Sequence, residues 1–524
     1  MNTHPALPPL RAFAGRSLSR RGLLRAGPAV TAAGALTGCA PDSKNALAGF
    51  VTPNGPEVRD TETRRKPGAV RQFALTATAD KVDLGGLTVA TWTYGGRLPG
   101  TPIRVKAGEV VRATLQNRLP DRTTVHWHGL TLRNDADGVP DVTQPSVPAG
   151  GQRVYEFTAQ HPGTYWFHPH QGVQLDRGLY APLIVDDPYE PLRYDDEWVV
   201  VLDDWLDGVT GTPDDVLTEL KRGMGNPSAG ASSMPGMDMG GMDMGGTDTG
   251  THLLMGATSK LLGGDAGDVK YPYFLLNGRR ASAPLTYRGK PGTRLRLRII
   301  NAAGDTAFRL ALGGHRMTVT HTDGYPVQPF TTDAVLIGMG ERYDVLVTLT
   351  DGVFPLVALA EGKNAAAFGL VRTGSGRAPT SGVRPAELNG HVASAGDLKP
   401  TDEVRLADRR PDRTIQLELT GGMQRYNWAI NNKPFSPDTI APVRSGERVQ
   451  LDYVNTTDMW HPMHLHGHTF ALAGTGVRKD TAVVLPKQTV STLLDADNPG
   501  IWMIHCHNVY HAEAGMMTLL GYQR

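Results

Sequence analysis

Residues 446–455 read Gly-Glu-Arg-Val-Gln-Leu-Asp-Tyr-Val-Asn, and apolar residues alternate with polar ones between the glycine and the asparagine. The same layout occurs as GEVVRATLQN in residues 108–117 and as GTRLRLRIIN in residues 292–301. Alternation with a period of two residues is typical of a β-strand with one buried face. The copies start 184 and 154 residues apart, an interval that suits whole domains and is too long for a solenoid repeat. The repeat therefore predicts an all-β chain of three β-sandwich domains.

The repeat also aligns the histidines. Nine and eleven residues after the closing asparagine, the first and third copies carry histidines and the second copy carries leucines. A second histidine pair follows a Pro-Gly turn in each outer domain. The four pairs are His126 and His128, His168 and His170, His464 and His466, and His505 and His507. Side chains at i and i+2 on a strand share one face, so two similar domains packed face to face would supply enough imidazoles for a cluster of three copper ions.

A cysteine stands inside the last histidine pair. Cys506 lies between His505 and His507, and His511 and Met516 follow it closely. Copper that changes between Cu(I) and Cu(II) is well held by two His and one Cys with a weak axial Met, because soft sulfur and borderline nitrogen suit both oxidation states. In an extended segment, His505 and His507 point to the face opposite Cys506. The motif therefore predicts an electron-transfer copper site, with a second metal centre one covalent step from the thiolate.

These motifs resemble the four copper motifs of the three-domain multicopper oxidases, the family that includes laccases, bacterial cuprous oxidases and ascorbate oxidase. They stand here as His-Trp-His-Gly at residues 126–129, His-Pro-His at 168–170, His-Pro-Met-His-Leu-His at 461–466, and His-Cys-His at 505–507. The resemblance covers most of residues 66–524. It implies three cupredoxin-like Greek-key β-sandwich domains, four copper ions, and the reduction of dioxygen to water by electrons taken singly from a reducing substrate.

The resemblance also assigns the copper ligands. The type 1 ion accepts electrons from the substrate, and a type 2 ion with a type 3 pair forms the cluster that binds dioxygen. By resemblance, the type 1 ligands are His461, Cys506, His511 and the axial Met516. The type 2 ligands are His126 and His464, and the type 3 ligands are His128, His168, His170, His466, His505 and His507. No ligand position of the family is missing, which implies an active oxidase.

Two carboxylates are candidate catalytic residues for proton supply to the cluster. Asp137 follows His126 by eleven residues and resembles the family acid that orients water near the type 2 ion. The alternative is a turn aspartate, which Gly-containing corners favour. Glu513 lies two residues after His511, whereas relatives carry an assisting Glu at other positions, so this assignment departs from the family pattern.

The N-terminus predicts an export signal. Residues 19–24 read Ser-Arg-Arg-Gly-Leu-Leu, a twin-arginine pattern, and the apolar stretch at residues 26–38 is too short to span a membrane. The stretch ends in Leu-Thr-Gly-Cys, which resembles a bacterial lipobox with Cys39 as the lipidated residue. The alternative is an ordinary cleaved signal with an incidental cysteine. We expect export by the twin-arginine route and an extracytoplasmic protein held at the cell membrane by a lipid anchor on Cys39.

Charge and cysteine content exclude other classes of protein. Residues 1–38 contain five Arg and no acidic residue, which leaves 48 basic and 52 acidic residues in the rest of the chain. The resulting net charge near −4 argues against nucleic acid as a partner. The chain has two cysteines, Cys39 and Cys506, and both have predicted chemical roles, so no structural disulfide is expected.

The repeat and the shifts in composition predict the domain boundaries. The predicted segments are a signal with lipobox at 1–39, a linker at 40–65, domain one at 66–187, domain two at 188–372 with a Met-rich insertion at 223–256, a linker at 373–411, and domain three with the type 1 copper at 412–524. Because domains one and three of a single chain can enclose the cluster, a monomer suffices.

The insertion at residues 223–256 is rich in Met, Gly and Asp. Its Met residues lack helical spacing and are surrounded by Gly, which predicts a loop rather than a core stripe. Thioethers are soft ligands that select Cu(I), and the interspersed Asp residues would receive Cu(II). We therefore expect copper capture, with a passive linker as the alternative. The expected Cu(I) ligands are Met234, Met237, Met239, Met242 and Met244.

The same insertion favours Cu(I) as the reducing substrate. A cuprous oxidase of copper detoxification gains from a loop that concentrates Cu(I), whereas a phenol-oxidising laccase gains from an open apolar groove beside His461 and His511. The overall pattern is similar to that of actinobacterial and mycobacterial lipoprotein oxidases tied to copper tolerance. We therefore predict oxidation of Cu(I) to Cu(II) with dioxygen as the acceptor. A laccase-like oxidase of phenols or aromatic amines, the use of Fe(II), and a copper-sequestering lipoprotein stay open as alternatives.

Overall fold

The computed structural model describes residue 47, residues 49–223 and residues 251–524. About 45% of the described residues are in strands and 9% in helices, which confirms the predicted all-β sandwich fold. The described strands form three successive sandwiches, each built from two main sheets. One apolar core runs from the second sandwich into the third, and the first sandwich has a core of its own.

The first sandwich packs a four-stranded sheet of order β2-β1-β4-β6 against another of order β3-β8-β7-β5. Its strands are β1 (Val70–Asp83), β2 (Thr88–Tyr94), β3 (Ile103–Lys106), β4 (Val110–Arg118), β5 (His126–His128), β6 (Gln152–Thr158), β7 (Gly163–His168) and β8 (Ala181–Asp186).

The second sandwich packs a seven-stranded sheet of order β13-β12-β9-β15-β20-β17-β18 against a six-stranded one of order β14-β22-β21-β16-β19-β23, and β10 pairs with β11 alone. Its strands are β9 (Asp196–Trp205), β10 (Thr258–Ser259), β11 (Gly264–Asp265), β12 (Tyr273–Leu276), β13 (Arg279–Arg280), β14 (Thr286–Arg288), β15 (Arg294–Asn301), β16 (Phe308–Leu312), β17 (Met317–Thr322), β18 (Tyr325–Thr332), β19 (Ala334–Ile337), β20 (Arg342–Thr348), β21 (Val353–Ala360), β22 (Ala365–Arg372) and β23 (Val392–Ala393).

The third sandwich packs a six-stranded sheet of order β25-β24-β27-β32-β29-β30 against a five-stranded one of order β26-β34-β33-β28-β31. Its strands are β24 (Arg413–Thr420), β25 (Ala429–Ile430), β26 (Ile440–Val443), β27 (Arg448–Asn455), β28 (His461–Leu465), β29 (Phe470–Leu472), β30 (Arg478–Lys479), β31 (Thr481–Val484), β32 (Thr489–Asp495), β33 (Ile501–Cys506) and β34 (Met517–Tyr522).

The three copies of the sequence repeat form equivalent strands. Strands β4, β15 and β27 each lie inside a sheet, parallel to the strand before the repeat and antiparallel to a strand after it. The alternation along β27 puts Val449, Leu451 and Tyr453 in the core. Period-two alternation thus marks the same place in each sandwich, as the sequence predicts.

The asparagine that ends each repeat holds the following turn through side-chain hydrogen bonds to the backbone. Asn117, Asn301 and Asn455 are buried, and each side-chain oxygen accepts a hydrogen bond from the backbone N–H two residues later. Each side-chain amide donates to carbonyls of the following turn and of a neighbouring segment. This double anchorage fixes the path of the chain into the next strand, which in the outer sandwiches carries histidines.

The helices of the described residues are short and lie outside the sheets. They are α1 (Pro56–Arg64), α2 (Pro213–Lys221) and α3 (Val509–Ala514), with 3-10 turns at Asn134–Ala136, Gly172–Asp176, Ala386–Asn389, Ala395–Asp397 and Asp402–Val404. Within the described part of the chain, no helix has the length and apolarity needed to cross a membrane.

Both segments predicted as linkers contain ordered structure. In the segment 40–65, α1 begins with a proline and is tied to the first sandwich because Glu62 accepts hydrogen bonds from the backbone and hydroxyl of Thr158, at 2.8 and 2.6 Å. In the segment 373–411, strand β23 pairs with β19, and His391 is held by Thr332 and Asp333. Local composition suggests a tether in both places, but hydrogen bonds to distant residues fix the backbone.

Candidate metal centres

A buried cysteine and two buried histidines converge at one end of the third sandwich. His461 begins β28, Cys506 ends β33, and His511 lies on α3. The Cys506 Sγ lies 3.6 Å from Nδ1 of His461 and 3.7 Å from Nδ1 of His511, and the two Nδ1 atoms are 3.1 Å apart. Metal bonds of about 2.0 Å to nitrogen and about 2.3 Å to sulfur would separate such ligands by about 3.3–3.7 Å. The three atoms therefore suit a single ion.

Helix α3 reverses the direction of the chain, so that Met516 lies next to Cys506. The Asn508 side chain caps the helix by accepting hydrogen bonds from the backbone N–H groups of Tyr510 and His511. After the helix, Met516 donates its N–H to the carbonyl of His511 at 3.0 Å and accepts from the N–H of Cys506 at 3.1 Å. Met516 is fully buried. The structure thus brings together the four residues predicted for the type 1 site.

The outer nitrogens of both imidazoles have partners. The His511 Nε2 lies 2.9 Å from the Asp268 carboxylate, and the His461 Nε2 lies 2.9 Å from the Thr457 hydroxyl. The Trp428 ring packs against both imidazoles, with centroids 4.3 Å from His511 and 5.2 Å from His461. A carboxylate only accepts from the imidazole N–H, so it keeps a proton on Nε2 of His511 and leaves Nδ1, toward the sulfur, as the atom that would bind a metal.

The pKa values of His461 and His511 are shifted in opposite directions. Burial, and the proximity of His511, hold the pKa of His461 well below its usual range. Burial also acts to lower the pKa of His511, but the charge and hydrogen bond of Asp268 outweigh it and raise the pKa to about 10. Sequence reasoning missed Asp268, because nothing near it in the chain has ligand spacing.

Eight histidines meet between the first and third sandwiches. In the first, β5 pairs with β7 so that His126 lies opposite His168, and in the third, β28 pairs with β33 so that His464 lies opposite His505. Rings from the two sandwiches stack on each other, His126 on His466 at 3.7 Å and His128 on His464 at 3.8 Å. The cluster comprises His126, His128, His168, His170, His464, His466, His505 and His507.

Hydrogen bonds fix the tautomers of this cluster. Four imidazoles present Nδ1 to a backbone carbonyl at 2.8–2.9 Å, and a carbonyl only accepts, so Nδ1 carries the proton and Nε2 a lone pair. These four are His126, His168, His464 and His505. Among the described residues, the buried Nε2 atoms of His126, His168 and His464 have no hydrogen-bond partner. A buried lone pair without a donor is costly in a protein and is expected where a cation binds.

Imidazole nitrogens approach each other closely in the cluster. His466 Nε2 lies 3.1 Å from His505 Nε2, and His128 Nδ1 lies 3.2 Å from His507 Nε2. Burial lowers the pKa of seven of the eight imidazoles, and neighbouring imidazoles lower most of them further. Neutral imidazoles whose nitrogens lie at these separations fit shared metal ions.

Cys506 links the two centres. Its Sγ faces His461 and His511, while the adjoining His505 and His507 face the cluster. The opposite-face arrangement predicted for an extended segment is therefore present, and two peptide bonds join the thiol site to two cluster imidazoles.

Asp137 lies among the histidines of the cluster. It is fully buried, its carboxylate lies 3.1 Å from Nδ1 of His466, and its carbonyl accepts from Nδ1 of His126 at 2.9 Å. One residue of the first sandwich thus orients an imidazole from each outer sandwich. The catalytic role of Asp137 stays a prediction, and these contacts place the residue beside the cluster.

Asp480 contacts the cluster and was missed by sequence reasoning. Its carboxylate lies 3.2 Å from Nε2 of His128, and its carbonyl accepts from Nδ1 of His464 at 2.9 Å. Burial acts to raise the pKa of Asp480, but the charge of Arg342 and hydrogen bonds from His128, His464 and Arg342 hold it well below its usual range.

Glu513 borders the cluster from the other side. It lines a small cavity of about 20 Å³ together with His168, His170, His505 and His507. A cavity of this size is large enough for one water molecule. Burial raises the pKa of Glu513, which favours a protonated carboxyl. The structure thus places Glu513 within reach of the cluster, despite its departure from the family spacing.

A surface pocket of about 690 Å³ lies above the mononuclear site. The residues that line it include Met423, Met459, Asp265, Asp458 and Trp428. Met459 precedes the ligand His461 by two residues, and Trp428 separates the pocket from both imidazoles. Cys39 and the five methionines predicted for Cu(I) capture lie outside the described residues.

Comparisons with known proteins agree along the whole chain. Family models described as multicopper oxidase match residues 76–190, 197–375 and 408–523. The chain is 46% identical over 515 residues to Multicopper oxidase MmcO of Mycobacterium tuberculosis, and the match covers 98% of each protein. It is 29% identical to a Copper resistance protein A homolog of Pseudomonas syringae pv. tomato, over 85% of this chain and 91% of that one.

Solved structures share the fold. Fet3p, described as a multicopper oxidase that functions in iron import, superposes with a TM-score of 0.70 at 21% sequence identity, over 86% of this chain and 90% of that one. A laccase from Botrytis aclada superposes with the same TM-score of 0.70 at 24% identity, over 87% of this chain and 88% of the laccase. These likenesses establish the three-sandwich architecture.

Proposed function

The chain belongs to the multicopper oxidase family, and from that premise we propose that its reducing substrate is Cu(I) and that it serves copper detoxification. The family implies four copper ions, and the histidine clusters of the described residues fit them. In the proposed reaction, four Cu(I) ions each lose one electron, and one dioxygen takes four electrons and four protons to give two water molecules.

Bound copper supplies one-electron redox chemistry and the binding of dioxygen. The residues of the chain supply the path for the electrons and the protons for the reaction. Cys506 carries electrons from the mononuclear site into the peptide that continues to His505 and His507. Asp137 holds two cluster imidazoles in place, and Glu513 offers a carboxyl proton at the small cavity beside the cluster. Separation of the two sites lets one-electron donors drive a four-electron reduction.

One observation carries the choice of Cu(I): the imidazole edges of the mononuclear site are covered. His461 and His511 are fully buried, and their Nε2 atoms are bonded to Thr457 and Asp268. A bulky phenol needs an exposed imidazole edge or a neighbouring apolar groove for close contact. A metal ion needs only donor atoms nearby, so the covered site favours a small cationic substrate.

The pocket above the site supplies such donor atoms. Met423 and Met459 offer soft thioethers for Cu(I), and Asp265 and Asp458 offer hard oxygens for the Cu(II) product. The Trp428 ring lies between this pocket and His511, which gives the electron a short path inward. The Met-rich insertion and the copper-resistance relative support the same substrate.

The test compares oxygen uptake with Cu(I), with Fe(II) and with a simple phenol. We expect the highest catalytic efficiency with Cu(I). The double substitution Met423→Leu and Met459→Leu should raise KM for Cu(I) and leave phenol oxidation unchanged, while Met317→Leu, at a methionine of the second sandwich that does not line the pocket, serves as the matched control. Highest efficiency with the phenol, or equal losses for both substrates, would support the laccase-like alternative instead.

We also propose that the protein acts outside the cytoplasm as a lipoprotein. The support is the twin-arginine pattern at residues 19–24 and the lipobox-like stretch ending at Cys39. Metabolic labelling with a radioactive fatty acid should mark the wild-type protein and not a Cys39→Ala variant, which should leave the membrane fraction. An unlabelled wild-type protein would support the cleaved-signal alternative.

A further inference from the structure

We propose that Arg342 of the second sandwich positions the histidine cluster through its ion pair with Asp480. Within the described part of the chain, the second sandwich supplies none of the cluster histidines. Arg342 is a positioning residue, since it acts on the histidines through Asp480. The proposal rests on the copper cluster of the family and is independent of the identity of the reducing substrate.

Arg342 stands where the three sandwiches meet. It begins β20, is fully buried, and donates from Nη1 and Nη2 to the two carboxylate oxygens of Asp480 at 2.7 and 2.6 Å. Its Nε donates to the carbonyl of Thr164 in the first sandwich at 3.0 Å, and Nη1 also donates to the carbonyl of Gly340 at 3.1 Å. The bidentate geometry fixes the plane of the Asp480 carboxylate as well as its position.

The second sandwich also holds the backbone around Asp480. One oxygen of Asp323 accepts from the N–H groups of Asp480 and Thr481 at 3.1 and 3.2 Å, and the other accepts from the N–H of Arg342 at 2.9 Å. The neighbouring Lys479 donates to Glu341 at 2.6 Å. The second sandwich therefore positions both the side chain and the backbone of Asp480, although it supplies none of the cluster histidines among the described residues.

Asp480 transmits this constraint to two imidazoles. Its Oδ1 lies 3.2 Å from Nε2 of His128, and its carbonyl lies 2.9 Å from Nδ1 of His464. A carboxylate partner requires the proton of His128 to sit on Nε2, which leaves the lone pair on Nδ1, 3.2 Å from Nε2 of His507. His128 is thus held in the opposite tautomer to His126, His168, His464 and His505, and Asp480 is the residue that selects it.

The ion pair of Arg342 and Asp480 is packed too tightly to shift. Gly129 directly follows His128 with φ of +86°, and a Cβ there would lie 2.7 Å from Oδ2 of Asp480 and closer still to Nη2 of Arg342. Gly340, with φ of +84°, lies against the rings of His507 and His128, where a Cβ would meet them at 2.8 and 3.0 Å. Two glycines therefore allow the ion pair and the imidazoles to approach each other closely.

The test replaces Arg342 with Lys, which keeps the charge and loses the bidentate geometry. The matched control is Arg296→Lys, since Arg296 is also a buried arginine of the second sandwich and pairs with Asp344, which contacts none of the cluster histidines among the described residues. We expect both variants to melt at a similarly lowered temperature. We expect R342K alone to lose copper from the cluster, with an affinity loss of about 10–100-fold and an altered type 2 electron paramagnetic resonance signal, while the blue absorption of the mononuclear site persists.

A second pair of variants keeps all charges. Gly129→Ala should push Arg342 and Asp480 apart and reproduce the spectral change, whereas Gly150→Ala, at φ of +75° with no described atom within 4 Å of the added carbon, should not. Full copper content with an unchanged resonance signal in R342K or G129A would overturn the proposal. Equal copper loss in R296K would also overturn it, because the effect would then be general destabilisation.

Discussion

Asp268 Oδ2 lies 2.9 Å from Nε2 of His511, although Asp268 belongs to the second sandwich and His511 to the third. A carboxylate on the far nitrogen makes the imidazole a stronger donor and favours the more positive, oxidised ion. Asp268→Asn should therefore raise the reduction potential of the mononuclear copper, by about 60 mV for each tenfold loss of preference for Cu(II). A redox titration that follows the blue absorption measures this shift.

Asp265→Asn is the control for that titration, since Asp265 lines the surface pocket three residues earlier in the chain. It should leave the potential of the mononuclear copper nearly unchanged. A lowered potential in the Asp268→Asn variant would contradict the role of the carboxylate.

Cys506→Ser should remove both the blue colour and the consumption of dioxygen. A serine hydroxyl stays protonated and is a poor ligand for copper, so the mononuclear ion and the covalent route to the cluster are lost together. Copper analysis should give three ions per chain instead of the four that the family implies. Cys39→Ser is the matched control and should stay blue. Oxygen uptake that persists in the Cys506→Ser variant would disprove the electron route.

The copper ligands could be predicted because their pattern is local. Each histidine pair occupies alternate positions of one strand, and the repeat ending at Asn117 and at Asn455 places two of these pairs at the same offset. The pairing of β5 with β7 and of β28 with β33 then follows from the equivalence of the outer sandwiches.

The residues around the ligands could not be predicted in this way. Asp480 lies 352 positions from His128, and Asp268 lies 243 positions from His511. Charged residues in short connecting segments usually lie on the surface, and here they are buried because partners from other sandwiches neutralise them. Only the packing of three sandwiches brings these partners together.

Glu513→Gln should slow turnover without changing copper content. The residue lines the small cavity beside four cluster imidazoles, where a carboxyl delivers a proton and an amide cannot. Loss of a positioned proton donor lowers kcat by about a hundredfold or more. Oxygen uptake under saturating substrate measures the change, with the exposed Glu403→Gln as control. An unchanged kcat would mean that protons reach the cluster by another path.

Asp344 should make the stability of the second sandwich sensitive to acid. It is buried between Arg296 and Arg298, and despite burial their charges lower its pKa from 3.8 to about 2. A depressed pKa means that the unfolded chain binds the proton more readily, so the stabilisation is complete above about pH 4 and is lost as the pH falls toward 2. A shift of this size corresponds to about 2 kcal/mol. Thermal melts of the wild type and of Asp344→Asn should therefore differ most near neutral pH and converge as the pH approaches 2, and a difference that is constant with pH would refute the ion-pair origin.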